Sequence, residues 1–344
     1  MKKRIISLLL MLSMILTACG AETNTTENSE KLTVVTSFYP IYLLTQEVVE
    51  GAENVVLKNM AQPQTGCLHD YELTISDMKL LEGADVLIVN GGGMESFLEQ
   101  AIERYPDLKV VDTSAGIELL EEEEHHHHGE ETEAHEHEEH EEEEEAHLHE
   151  DEEHLEDAEE HSHEEDAHGH SHEGNPHIWL SPARAAQQVE NICTALSELD
   201  KADAEIFAEN AADFHADAEA LLEQAHEIGI PEEMHSAVFH EGFGYFAELF
   251  HMENVFGIFA DEYQMPSARE LAEATAEAKG HDIRFFLTAD DTGKIYAETL
   301  AAEVDEKIVL LDPLTTADEE NLSYMERMQK NIETIERHWK EVTE

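Results

Sequence analysis

The sequence predicts an α/β protein: two lobes of mainly parallel sheet flanked by helices, joined by one long rigid helix, with a disordered His/Glu-rich insertion. Three observations carry this. Short β-branched runs alternate with helical patterns from Lys31 to Asp112, and the alternation restarts after Gly229. Between the two series, Lys201 to Glu227 is Ala/Glu-rich and free of Gly and Pro. From Glu121 to His177 no apolar periodicity exists at all.

In the first series, Leu32 to Ser37 and Val55 to Met60 read as strands, with a helix over Tyr39 to Glu50. Gln62 to Gly66 is a Pro/Gly loop, and Thr74 or Ser76 opens a helix reaching Leu81. Asp85 to Asn90 is a buried strand; Gly91 to Gly93 release the chain into a helix from Met94; Lys109 to Asp112 is the last strand. Beyond the insertion, Ser181-Pro182 places a serine cap and a first-turn proline at a helix start. The second series reads as strands at Ala237 to Phe239, Val255 to Phe259, Ile283 to Leu287 and Lys307 to Leu311. Its helices run over Gly244 to His251, Ser267 to Lys279, Lys294 to Glu303 and Glu319 to Val342. The expected division is a leader (1–19), tether (20–30), N-terminal lobe (31–120 and 176–200), insertion (121–175), linking helix (201–228) and C-terminal lobe (229–344).

The insertion states the chemistry. Residues Glu121 to His177 contain no Lys or Arg, 27 of the 81 acidic residues and 16 of the 24 histidines. Runs such as His125 to His128 and His168/His170/His172 offer imidazole nitrogen, a favoured ligand for zinc, copper and nickel. The interleaved carboxylates would concentrate divalent cations there. Without those 27 acids the formal charge of −62 falls only to −35, so the remainder is itself acidic. That argues against nucleic acid as a partner and against electrostatic attachment to anionic lipid.

Lys2-Lys3-Arg4 followed by the short apolar run Ile5 to Leu16 reads as an export leader. Leu16-Thr17-Ala18-Cys19 resembles a bacterial lipobox, which makes Cys19 the lipid-bearing residue, with a polar leash at 21–30. The expected location is extracytoplasmic, lipid-anchored to the cell membrane. There a disulfide is permitted, and Cys67 and Cys193 leave that pairing open.

Three histidines stand at strand ends or in adjoining loops: His69, His177, which closes the acidic run, and His240. Three neutral imidazoles plus one oxygen donor make a tetrahedral zinc site. The segments around them carry a resemblance. Val35 to Pro40, His69-Asp70-Tyr71-Glu72 with Ser76-Asp77, Pro176-His177-Ile178-Trp179-Leu180-Ser181-Pro182, Val238-Phe239-His240 with Gly244-Tyr245-Phe246, and Leu311 to Leu314 are together similar to the zinc-binding lipoprotein component of bacterial ABC-type metal uptake systems. The resemblance spans residues 31–344 and includes the placement of the His/acidic insertion. It implies two lobes bridged by a long helix, metal held in the cleft, and delivery of Zn2+ to an ABC-type membrane permease by a monomeric receptor that is not an enzyme. By motif position it implies His69, His177 and His240 as ligands. Leu68 stands where relatives carry Pro or Glu, and the fourth ligand stays open among water, Asp312 and Glu241.

Within the family, the alternative is a manganese or iron receptor, which would favour oxygen-richer ligation than His240 supplies. From a different class, a zinc-dependent extracellular hydrolase would use His240-Glu241, but no second histidine follows at helical spacing. A surface metal buffer without a permease is the third possibility. The histidines at 215, 226, 235, 251, 281 and 338 read as solvated.

Overall fold

The computed structural model describes residues 31–62, 68, 71–121, 174–259, 266–289 and 292–344. The lipobox with Cys19, the loop carrying Cys67 and His69, and the bulk of the insertion lie outside the described residues. The first half holds β1 (Leu32–Thr36), α1 (Tyr39–Val49), β2 (Val55–Asn59), α2 (Ile75–Glu82), β3 (Val86–Val89), α3 (Glu99–Ile102) and β4 (Lys109–Asp112). Then come α4 (Pro182–Leu199) and α5 (Ala204–Glu227). The second half holds β5 (His235–Val238), α6 (Phe243–Leu249), β6 (Glu253–Gly257), α7 (Ala268–Gly280), β7 (Phe285–Thr288), α8 (Thr292–Glu303), β8 (Ile308–Leu310) and α9 (Tyr324–Thr343).

Each half builds one four-stranded sheet, in the orders β2-β1-β3-β4 and β6-β5-β7-β8, and every pairing is parallel. The expected two-lobe parallel architecture is therefore observed. Strand side chains alternate faces, and both faces of each sheet are covered. In β3, Val86 and Ile88 enter the core shared by both halves, while Leu87 and Val89 join a separate cluster with Leu98. In β7, Phe285 and Leu287 face the shared core and Phe286 faces the outer cluster with Ala274 and Leu300. Both outer layers explain why these strands read as unbroken apolar runs.

Helix α5 is the expected long link, 24 residues and roughly 36 Å at 1.5 Å per residue. Its buried stripe, Phe207, Ala211, Phe214, Ala218, Leu221 and Ala225, repeats at helical spacing. It packs on α1, α4 and α9, so it is a shared wall of the core and not a bare strut. Two elements and one side chain depart from expectation. No regular helix starts at Met94; a 3-10 turn at Ser96–Leu98 runs into α3, because the Glu95 carboxylate turns back to accept the Asn90 and Gly91 N–H groups. The last helix starts at Tyr324 instead of Glu319: Asp318 accepts from Leu322 N–H, Asn321 is left-handed, and Ser323 with Glu326 forms the capping box. His338, expected to be solvated, is buried on α9, with Nε2 2.8 Å from the Arg284 carbonyl and its ring against Phe285. It falls on the same helical stripe as Met328, Ile332 and Ile335, and position on that stripe overrides polarity.

Candidate metal site

The carboxyl ends of both sheets converge on residues 175–177, where ligands of open parallel sheets bind. Asn90, just past β3, donates from Nδ2 to the Pro176 carbonyl at 2.8 Å, and is itself held by Gln188 of α4 at 3.1 Å. From the other sheet, the Glu241 carbonyl, three residues past β5, accepts from Asn175 Nδ2 at 2.9 Å. Phe38, past β1, meets Trp179 edge-on at 5.2 Å between ring centres. Trp179 in turn donates from Nε1 to the Pro313 carbonyl at 2.9 Å, and Tyr324 donates its hydroxyl to the Trp179 carbonyl at 2.7 Å. The Asn175 to Trp179 segment is thus tied to both halves.

His177 leads into a 3-10 turn at Ile178–Leu180 and is 1% exposed. Its ring lies 5.0 Å from Trp179 and 5.2 Å from His240, the latter at 76°. Two imidazoles sharing one tetrahedral zinc at about 2.0–2.1 Å per bond would hold their centres about 5 Å apart. The sequence-expected His177 and His240 are therefore brought together at a spacing that suits one ion. His240 sits half-buried between β5 and α6, packed 5.0 Å from Phe243. Its Nδ1 accepts from the Gly242 N–H at 3.2 Å, so in this geometry the proton of the neutral ring is on Nε2.

His69 lies outside the described residues, and among the described residues no group of three or more His, Cys, Asp or Glu gathers. Of the two carboxylates considered for the fourth position, Glu241 stands 3.8 Å from His177 Nδ1. Asp312 is engaged elsewhere: both its oxygens receive Arg327, from Nε and Nη2 at 2.6 Å each. That fork argues against Asp312 as a donor to metal. Among the described residues Cys193 is a free thiol, buried on α4 and 3.9 Å from Ser197 Oγ.

Tyr245 belongs to a segment that carries the family resemblance, and Asn175 does not. Tyr245 is fully buried; its hydroxyl donates to the Asn175 carbonyl at 2.6 Å and accepts from Leu120 N–H at 3.1 Å. Burial pushes its pKa up to about 12, so it keeps its proton in any ordinary medium. Asn175 carried one legible sign: Asn-Pro-X is an Asx-turn sequence, and its Oδ1 does accept from His177 N–H at 3.0 Å.

Residues 34–338 match the family described as zinc-uptake complex component A, periplasmic. The chain is 27% identical to the zinc-binding lipoprotein AdcA of Streptococcus pneumoniae serotype 4, with 97% of this chain and 60% of that protein aligned. It therefore spans about three-fifths of that relative's length. It is also 27% identical to the high-affinity zinc uptake system protein ZnuA of Bacillus subtilis, over 94% of this chain and 93% of that one. The crystal structure of Zn(II)-bound AdcA from Streptococcus pneumoniae superposes with a TM-score of 0.65 at 23% identity, over 90% of this chain and 57% of that chain. At that identity the superposition speaks for the fold.

Proposed function

We propose, from the premise that the chain belongs to the family of zinc-uptake complex component A, that it is an extracytoplasmic receptor which captures Zn2+ between its lobes and hands it to an ABC-type membrane permease. The observation that carries this reading is the His177–His240 pair, 5.2 Å apart at the point where the carboxyl ends of both sheets meet. His69 supplies the third imidazole in this reading, and Glu241 or water the fourth donor. The names of the streptococcal and Bacillus relatives support zinc as the cargo. Lipid at Cys19 tethers the receptor as a monomer to the membrane. The histidine-rich insertion gathers zinc weakly and raises its concentration near the cleft. In this reading the protein binds and releases its cargo, and Glu241, 3.8 Å from His177 Nδ1, serves the metal site and not a reaction.

The test is a calorimetric titration of zinc against manganese on the mature chain lacking residues 122–173, beside the same chain carrying His240→Ala. One tight zinc site, indifferent to excess manganese and lost with His240, is expected. Manganese preference, or tight zinc binding that survives the substitution, overturns the reading.

A further inference from the structure

The contacts of Asn175 leave its side-chain amide a single orientation. The His177 backbone N–H, 3.0 Å away, can only donate, so it faces Oδ1. The Glu241 backbone carbonyl, 2.9 Å away, can only accept, so it faces Nδ2. The same Oδ1 lies 3.0 Å from the Nδ1 of the His177 ring. A carbonyl oxygen cannot donate, so Nδ1 carries the proton of the neutral imidazole and Nε2 carries the lone pair. The Glu241 carboxylate, 3.8 Å from the same Nδ1, favours the proton there as well.

Asn175 is in turn held by the stem of the insertion. Its N–H donates to the Leu120 carbonyl at 2.7 Å. The Tyr245 hydroxyl bridges the Leu120 N–H and the Asn175 carbonyl, so three hydrogen bonds, one direct and two through Tyr245, join the residue before the insertion to its last residue. Arg184 closes the assembly: its guanidinium lies 4.8 Å over the Tyr245 ring, and its Nε donates to the Glu118 carbonyl at 2.9 Å.

We propose that Asn175 is a positioning residue that commits His177 to bind metal through Nε2, and that Tyr245 holds Asn175 in place by clasping the two chain segments from which the histidine-rich insertion departs. The clasp makes the root of the insertion part of the outer coordination shell of the site. This rests on the reading of His177 as a ligand. A metal-binding histidine whose other nitrogen has a fixed acceptor is the stronger and better-aimed donor, and removal of such an acceptor costs about 10–100-fold in affinity.

The experiment uses the mature full chain and four variants: Asn175→Ala, Asn175→Asp, Tyr245→Phe and His177→Gln. Zinc affinity of the tight site is read by chelator competition. The tautomer of His177 in the metal-free protein is read from its imidazole 15N shifts, identified as the resonances missing in H177Q. Asn175→Ala is expected to weaken zinc about 10–100-fold and to spread His177 over both tautomers. Asn175→Asp keeps an acceptor at Nδ1 and restores both readings. Tyr245→Phe preserves the buried ring and shifts both in the direction of Asn175→Ala, by less. A wild-type tautomer in Asn175→Ala overturns the proposal, whether or not zinc binding weakens. Wild-type zinc affinity in H177Q overturns the ligand assignment instead, so the two failures are distinguishable.

Discussion

Gly242 lies directly against His177: a Cβ at that glycine would stand 2.9 Å from His177 Cβ and 2.5 Å from Leu180 Cδ1. Its backbone is ordinary, with φ of −63°, so the absence of a side chain answers a need for space and not for conformation. The same residue's N–H reaches His240 Nδ1. One backbone segment thus sets the position of both rings. Gly242→Ala is expected to destabilise the fold by about 1–3 kcal/mol, the usual cost of overpacking, and to weaken zinc binding by pushing His177 off its seat. Thermal unfolding and chelator competition on the variant check this; an unchanged zinc affinity would show that the site tolerates movement of the ring.

Removal of residues 122–173 should leave the fold and one tight zinc site intact while lowering the total zinc bound. The mutual bonds of Leu120 and Asn175 already bring the two ends together, so a short connection closes without strain and with less entropy lost than a long one. Zinc stoichiometry by atomic absorption and affinity by calorimetry decide it. Loss of the tight site on deletion would place that site in the insertion.

Arg327 is 3% exposed and spends three of its donors at fixed points, two on Asp312 and one, from Nη1 at 2.9 Å, on the Thr316 carbonyl. A lysine cannot reproduce that fork. Arg327→Met, which leaves Asp312 unpaired, is expected to cost about 3 kcal/mol, the low end for breaking a buried pair, because Asp312 retains access to water. Arg327→Lys should recover only part of this. Urea unfolding of both variants measures the difference, and equal stability of the lysine variant and the parent would remove the geometric argument.

Glu95 is buried, and burial lifts its carboxyl from 4.5 to about 7 against the opposing pull of Ser37, Asn90 and Gly91. A folded-state pKa above the unfolded one means that the folded chain binds a proton the unfolded chain does not. The contribution of Glu95 is therefore most favourable below about 4.5 and is lost as pH rises through about 7. Parent and Glu95→Gln unfolded in urea at pH 5 and pH 8 should show the parent losing ground to the variant at the higher pH. A constant difference between them would mean that Glu95 stays ionised throughout.

Much of the fold was legible because its causes are local. Thr74, Ser181 and Ser267 all cap the helices they precede, each accepting a backbone N–H one turn on. The strands coincide with β-branched runs, and their edges differ by a residue or two where the pairing partner decides the end. What failed was non-local. Glu95 reads as helix but caps two backbone amides just upstream while accepting from the distant Ser37 hydroxyl, and His338 reads as surface but packs on Arg284 and Phe285, far back in the sequence.

The candidate site divides in the same way. Residue chemistry and spacing alone determined that the chain is built of two parallel α/β halves, that a long Gly- and Pro-free helix links them, and that imidazole and carboxylate dominate one stretch. Those follow from local backbone preference and composition, which any window of sequence contains. Only the tertiary structure decided that His177 meets His240 at 5.2 Å, that Asp312 belongs to Arg327 while Glu241 stands by the His177 ring, and that Asn175 determines which nitrogen of His177 bears the proton. Proton placement and ligand spacing depend on the direction of donors and acceptors brought from distant segments, and direction is a property that a sequence acquires only when it packs.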